Sequence, residues 1–86
     1  MKEIYIVNEL TVLTDNQFEV YNTCHLATTN IEEAKKKFNE VLEIAVKDFN
    51  KTMEDVVDEG EHCKYISRAD GYDRIEVKLE TMDIID

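Results

Sequence analysis

The sequence predicts an α+β domain of two layers: a four-stranded, mainly antiparallel sheet in ββαββ order, with one long helix packed on one face. Three observations predict it. Residues 30–53 carry apolar side chains at steps of three and four, the spacing of one helix stripe. The segments on either side alternate apolar and polar residues with period two, as strands with one buried face do. The chain has no Pro and only two Gly, so few breaks are forced on it.

At 86 residues the chain has the length of a single domain, near the lower limit for folding on one core without staples. The pattern divides it into a hairpin over 2–28, a helix over 30–53, an acidic connection over 54–61, a second hairpin over 62–82 and a frayed tail over 83–86.

In the helix, Ile31, Ala34, Phe38, Val41, Leu42, Ala45, Phe49 and Met53 form the stripe, and Ile44 and Val46 beside it widen the arc. Asn30 suits the N-cap, with Glu33 placed to reach back to it. Glu32 and Glu33 lie where the helix dipole favours negative charge. Glu32–Lys36, Glu33–Lys37 and Glu43–Lys47 are spaced as i,i+4 pairs.

In the first hairpin, Ile4, Ile6, Leu10 and Val12 share one face of the first strand, and Phe18, Val20, Cys24 and Leu26 share one face of the second. A turn at Thr14-Asp15-Asn16 joins them. Pairing Val12 with Phe18, Leu10 with Val20, Ile6 with Cys24 and Ile4 with Leu26 puts every apolar pair on the helix side. That register sets Asn8 opposite Asn22, where the pair either hydrogen-bonds across the strands or is ejected by a bulge. The opposite face carries Tyr5, Val7, Glu9, Thr11, Glu19, Tyr21, Thr23 and His25. Of these, Tyr5, Val7, Tyr21 and His25 are candidate partner-binding residues. Such residues also suit a half-exposed strand with no partner.

The connection holds five acids in eight residues, Glu54, Asp55, Asp58, Glu59 and Glu61. It either extends the helix by a turn before Gly60 or forms a solvated loop. As a row of carboxylates it is a candidate partner-binding segment that could imitate a phosphate track. In the second hairpin Asp70-Gly71 is a strong turn signal, and Ile75, Val77 and Leu79 face the helix. An odd-length loop sets Cys63 and Tyr65 beside them, whereas a two-residue loop sets His62, Lys64 and Ile66 there. The first is preferred because it buries no charge. It gathers Lys64, Arg68, Arg74 and Lys78 outside as a candidate anion-binding island, unless Glu76 and Glu80 pair with them.

The formal net charge is −10, from 20 acids and 10 bases. Direct binding of nucleic acid, which needs a surplus of Lys and Arg facing phosphate, is disfavoured, as is an anionic membrane. A partner with a basic surface is favoured, although acidity also serves solubility alone. Glu3, Asn8 and Glu9 interrupt the first apolar run, so no signal peptide is expected. A cytoplasmic protein is the expectation.

Cys24-His25 and His62-Cys63 resemble zinc ligands only until strand alternation is considered: on the registers above both thiols point inward and both imidazoles outward. Metal and cofactor are therefore not expected, and a Cys24–Cys63 disulfide, which needs their strands to be close neighbours, is disfavoured by an intracellular setting. Ser67 is the only serine and has no nucleophile elbow around it. Neither a phosphate-binding glycine loop nor His-Glu-x-x-His occurs. The chain is expected not to be an enzyme.

The opening MKEIYIV and the later TNIEEAKKKF resemble stretches of many short phage and bacterial proteins. In size, charge and strand–helix layout the whole chain resembles the small acidic proteins of phages and mobile elements, including anti-CRISPR and other anti-defence proteins. That resemblance implies an inhibitor acting in the host cytoplasm on a basic, nucleic-acid-binding surface of a larger protein. Two alternatives stand beside it: a protein that sequesters an anionic small molecule such as a nucleotide, and a homo-oligomerisation domain pairing through Tyr5 and Tyr21.

Overall fold

A computed structural model describes residues 2–14, 19–67 and 73–84. It contains β1 (Lys2–Leu13), β2 (Glu19–Thr28), α1 (Ile31–Asp48), a 3₁₀ turn (Met53–Asp55), β3 (Val57–Gly60), β4 (Cys63–Ser67) and β5 (Arg74–Ile84). The fold is α+β with one helix on an antiparallel sheet. The sheet has five strands rather than four, in the order β2-β1-β5-β4-β3, and the chain order is ββαβββ. The extra strand is β3, which occupies half of the expected acidic connection. Val57 pairs with Tyr65 and Asp58 with Lys64, so these carboxylates stand on a sheet edge and not on a helix or a loop. Asp83 and Ile84, expected in a frayed tail, instead pair with Glu3 and Lys2. Phe18, Arg68 and the Asp70-Gly71 turn lie outside the described residues.

The helix begins as its sequence predicts. Asn30 Oδ1 accepts from the amides of Glu32 and Glu33 at 2.9 and 3.3 Å. Glu33 does not return to Asn30. Its carboxylate accepts from the Thr28 hydroxyl at 3.1 Å, and Thr28 Oγ1 in turn accepts from the Asn30 amide. The helix stops five residues short of Met53. Asn50 has φ 54°, the left-handed conformation Asn tolerates better than most residues. The amide of Asn50 donates to Lys47 O and that of Lys51 to Val46 O, both at 3.0 Å, the 5→2 and 6→1 bonds of a Schellman stop. Met53 is consequently exposed, and Val46 joins Ala34, Phe38, Val41, Leu42, Ala45 and Phe49 in the core. Among described residues the ion pair within the helix is Lys37–Glu40 at 3.4 Å, rather than the expected i,i+4 pairs.

The sheet face against the helix differs from the expected one in β1 and β4. Val7, Ile66, Ile75, Val77 and Leu79 form the sheet side of the core, with Tyr5 and Leu26 packed at its margin. The reason lies in β5. One of its faces is Ile75, Val77 and Leu79; the other is Arg74, Glu76, Lys78 and Glu80. Only the first can be buried at tolerable cost. Antiparallel pairing aligns Val7 with Leu79, Glu9 with Val77 and Ile66 with Ile75, and paired residues share a face. The odd-numbered side of β1 thus turns toward the helix, and Ile4, Ile6, Leu10 and Val12 turn away. In β4, Lys64 and Ile66 take the inner positions and Cys63 and Tyr65 the outer ones.

The β1–β2 register also differs. Val12 pairs with Val20, Leu10 with Asn22 and Asn8 with Cys24, and a bulge between Val7 and Asn8 then sets Val7 opposite Leu26. His25 is the extra residue. The bulge reverses the alternation of β2, so that Leu26 reaches the core while Cys24 stays on the open face. Asn8 and Asn22 are not opposite each other. Twelve residues of β1 extend about 40 Å, against about 27 Å for the 18-residue helix. The helix therefore covers the Tyr5–Val7 end, and the far end of the β1–β2 hairpin projects beyond it, consistent with overall dimensions of 46 × 27 × 18 Å.

Candidate interaction surface

The helix-free face of the sheet has two halves of opposite chemistry. Over β3, β4 and β5 it is closed by its own charges. The Arg74 guanidinium lies 4.0 Å from the centroid of the Tyr65 ring, a cation–π contact. It also donates to Glu59 Oε1 at 2.8 Å and to Glu76 Oε2. Lys78 Nζ lies 3.3 Å from Glu76 Oε1. Glu76, 8 % exposed, sits beneath this group. Burial pushes its carboxyl up, but the Lys78 ammonium and then the Arg74 guanidinium outweigh burial and hold it below the usual carboxylate range.

A group whose folded value is depressed contributes stability above the unfolded value, about 4.3 for Glu. That contribution is lost as pH falls through the folded value. Urea unfolding across acid pH is accordingly expected to show stability declining below about pH 4.3, with Glu76→Gln flattening that decline. Asp55, lowered mainly by the Thr52 amide it accepts, supplies another part of the slope. An acid limb identical in wild type and Glu76→Gln would remove the ion-pair account of this half-face.

Over β1 and β2 the same face is apolar and bare. Ile4, Ile6, Leu10 and Val12 are each partly exposed, flanked by Val20 at 50 % and Met82 at 56 % exposure. Asn8 Nδ2 donates to Glu80 Oε2 at 3.4 Å at the border between the halves. The exposed Cys24 and Ala27 of β2 extend the apolar half toward the edge. No element crosses it among the described residues.

The expected site residues are dispersed by this arrangement. Val7 is fully buried and Tyr5 packs at the core margin, so neither belongs to an outer contact face, and a Tyr5–Tyr21 pairing surface does not form. Tyr21 and His25 are exposed on β2. The Tyr21 hydroxyl donates to Glu19 Oε2 at 2.7 Å, and that bond holds the phenol above its usual range. His25 Nε2 lies 2.8 Å from Glu9 Oε1.

The acidic segment is partly consumed within the fold. Asp55 caps the 3₁₀ turn through the Thr52 amide at 3.0 Å. Asp58 pairs with Lys64 at 3.6 Å and Glu59 with Arg74 at 2.8 Å. Glu54 and Glu61 are exposed and make no ion pair among the described residues. The basic island is likewise not assembled: Lys64 lies on the helix side, Arg74 and Lys78 lie on the other side with acid partners, and Arg68 is outside the described residues.

Two further arrangements bear on chemistry. Glu59, Cys63 and Glu76 bring one donor atom each within 4.8 Å of one another, but Arg74 and Lys78 already neutralise both carboxylates. Burial, then Glu76 and Glu59, push the Cys63 thiol up, which keeps it protonated and a poor nucleophile. Contrary to expectation both thiols lie on the helix-free face and Cys24 is exposed. With β1 and β5 between their strands, they are separated by three strand spacings, roughly 14 Å, beyond disulfide reach. The cavity between α1 and β4, lined by Lys35, Phe38, Asn39, Glu61, His62, Lys64 and Leu79, holds about 230 Å³, below the roughly 300 Å³ at which small-molecule sites begin.

No helix among the described residues is long and apolar enough to cross a membrane. No family model, curated protein or solved structure matches this chain. What the fold and the surface define is a small α+β domain with one sheet face half covered by its own ion pairs and half open.

Proposed function

We propose that the chain is a protein-interaction module whose contact surface is the apolar half of the helix-free sheet face. One observation carries this reading. Ile4, Ile6, Leu10 and Val12 recur with period two, interrupted by Asn8, and folding leaves them partly exposed on the helix-free face beside the exposed Val20 and Met82. Contiguous exposed apolar patches with polar rims are a mark of interaction sites. The bordering row of β5, Arg74, Glu76, Lys78 and Glu80, is of mixed sign, but the chain as a whole has a net charge of −10, so its long-range field favours a partner with an apolar centre in a basic surround. In its narrower form this is an inhibitor that occupies a nucleic-acid-binding surface, with Glu54 and Glu61 as the carboxylates left over for the partner. Sequestration of an anionic small molecule has less to support it, because Lys64, Arg74 and Lys78 each face an acid of the same chain.

The test compares tagged wild type, Ile6→Lys/Leu10→Lys and Glu54→Gln/Glu61→Gln in capture from source-cell lysate, with matched circular dichroism as the folding control. A protein retained by wild type is expected to be lost by at least about tenfold with the sheet-face variant, as when apolar anchors are removed from an interface centre. Removal of the two free carboxylates is expected to weaken it less and to reduce its salt dependence. Undiminished capture by Ile6→Lys/Leu10→Lys would sink the reading. A salt-independent complex would remove the narrower, charge-led form and leave the sheet surface.

A further inference from the structure

The two edges of the sheet are built differently. The β3 edge is blunted in the ways that prevent strands from pairing with strangers: it is four residues long, carries Asp58 and Glu59, and has an irregular register before Gly60. The β2 edge has ten residues. From Val20 to Cys24 it contains no charge, no Pro and no bulge, and among the described residues no strand lies beside its outward backbone groups. Its bulge comes only at His25. On a chain of net charge −10, two copies repel least where charge is absent, and this is such a stretch.

The side chains specify the register. In an antiparallel pairing of β2 with its own copy, two-fold symmetry forces one residue, or one gap between residues, to face itself. A gap would set a helix-side residue opposite an open-face residue and is excluded by alternation. With the axis at Asn22, Tyr21 faces the copy's Thr23, Val20 faces its Cys24, and Glu19 faces its His25. Glu19, Tyr21, Thr23 and His25 lie on the helix side of the sheet, where His25 already meets Glu9 at 2.8 Å. Each imidazole then sits between two carboxylates, one from its own chain and one from the copy. The two Tyr21 rings become diagonal neighbours across the axis, about 7–8 Å apart and within aromatic reach, which accounts for a tyrosine left 52 % exposed. An axis at Tyr21 sets Glu19 against Thr23, and an axis at Thr23 sets it against Ala27. Neither gives the carboxylate a partner.

We infer that the chain self-associates through β2, as a two-fold dimer centred on Asn22 with reciprocal Glu19–His25 contacts, forming one continuous ten-stranded sheet. The two apolar half-faces then lie side by side. This assembly needs no third protein, so it stands or falls independently of the function proposed above.

Asn22 is exposed, so a charge there leaves the fold intact, and in the dimer it faces its own copy. Sedimentation equilibrium is expected to give a dimer for wild type. Asn22→Lys and Asn22→Asp, each measured alone, are expected to weaken self-association by about tenfold or more through like-charge juxtaposition. An equimolar mixture of the two is expected to recover the dimer, because lysine then faces aspartate. Far-ultraviolet circular dichroism of each variant verifies folding. A wild-type monomer at the limit of solubility overturns the inference, as do two single variants that remain fully dimeric. A mixture that stays monomeric overturns the Asn22 axis.

Discussion

Replacing Leu42 by Ala is expected to lower the free energy of unfolding by about 2–5 kcal/mol, the range for deleting a buried leucine. The upper half of that range is the relevant one here. Leu42 is 1 % exposed and central to the helix stripe, and the sheet side of the core it shares is mostly β-branched, with Val7, Ile66, Ile75 and Val77. Their few rotamers give little capacity to close a cavity. A domain of this length has a total stability of roughly 4–13 kcal/mol at the usual 0.05–0.15 kcal/mol per residue. The variant therefore loses a large share of its margin and shows a much lower urea midpoint with an unchanged slope. Ile44→Ala, on the exposed side of the same helix, is the matched control and is expected to change little. Equal effects at the two positions would mean that the helix does not lie on the sheet as described.

The second large effect is expected at Asp73, an acid with no exposed surface. Its Oδ1 accepts from both the amide and the hydroxyl of Thr14, each at 2.8 Å. The contact ties the end of β1 to the residue just before β5. Asp73→Ala removes a charged acceptor and leaves two part-buried donors unsatisfied, at a cost of about 1.5–3 kcal/mol. Asp73→Asn retains a carbonyl oxygen in the same place and is expected to recover part of the loss. Thr14→Val, which deletes the hydroxyl but keeps the amide, is expected to cost less than Asp73→Ala. Denaturant unfolding of the three variants provides the order, and an Asp73→Ala variant as stable as wild type would exclude this contact as a fastening point.

The elements most legible in the sequence were those governed by local rules. The start of α1 follows from Asn30, and the buried face of β5 follows from alternating apolar and charged residues. The stop at Asn50 was also written locally, as an Asn just beyond the periodic stretch, but apolar Met53 continued the pattern past it. What was not legible depended on neighbours. The even-numbered residues of β1 are more apolar than the odd-numbered ones, and judged alone they belong inside. They remain outside because β1 shares its orientation with β5, whose outer face cannot be buried. In β4 the same alignment put Lys64 inward, where Asp58 of β3 meets it. Strand β3 itself was obscured by its acids, which read as solvated. Two valines at 56–57 were its only local signal.

The candidate surface was found only in inverted form. A contact face was expected on the first hairpin, but with Tyr5 and Val7 on it. The apolar row assigned to the core turned out to lie on the helix-free face, partly exposed. The charged network around Glu76 had a local signal, the period-two run of Arg74, Glu76, Lys78 and Glu80, which read as a basic island unless the glutamates paired with its bases, and Glu76 does pair with Arg74 and Lys78. Its neutralising partner Glu59 came from a segment not expected to be in the sheet. Conflict between local pattern and global burial marks places kept for something other than stability, and the Ile4–Val12 row is such a place.

The pairing of β1 with β5 has a consequence for how the chain acquires its structure. These strands lie side by side in the middle of the sheet, matched from Val12 with Arg74 to Lys2 with Ile84, yet they are the first and last of the described elements. Closure over such sequence separations is entropically costly and slow. On the ribosome, the first hairpin and the helix must wait for the final strand before their apolar surfaces find cover. A chain cut before Arg74 would therefore be no smaller version of this domain, but a substrate for chaperones and proteases.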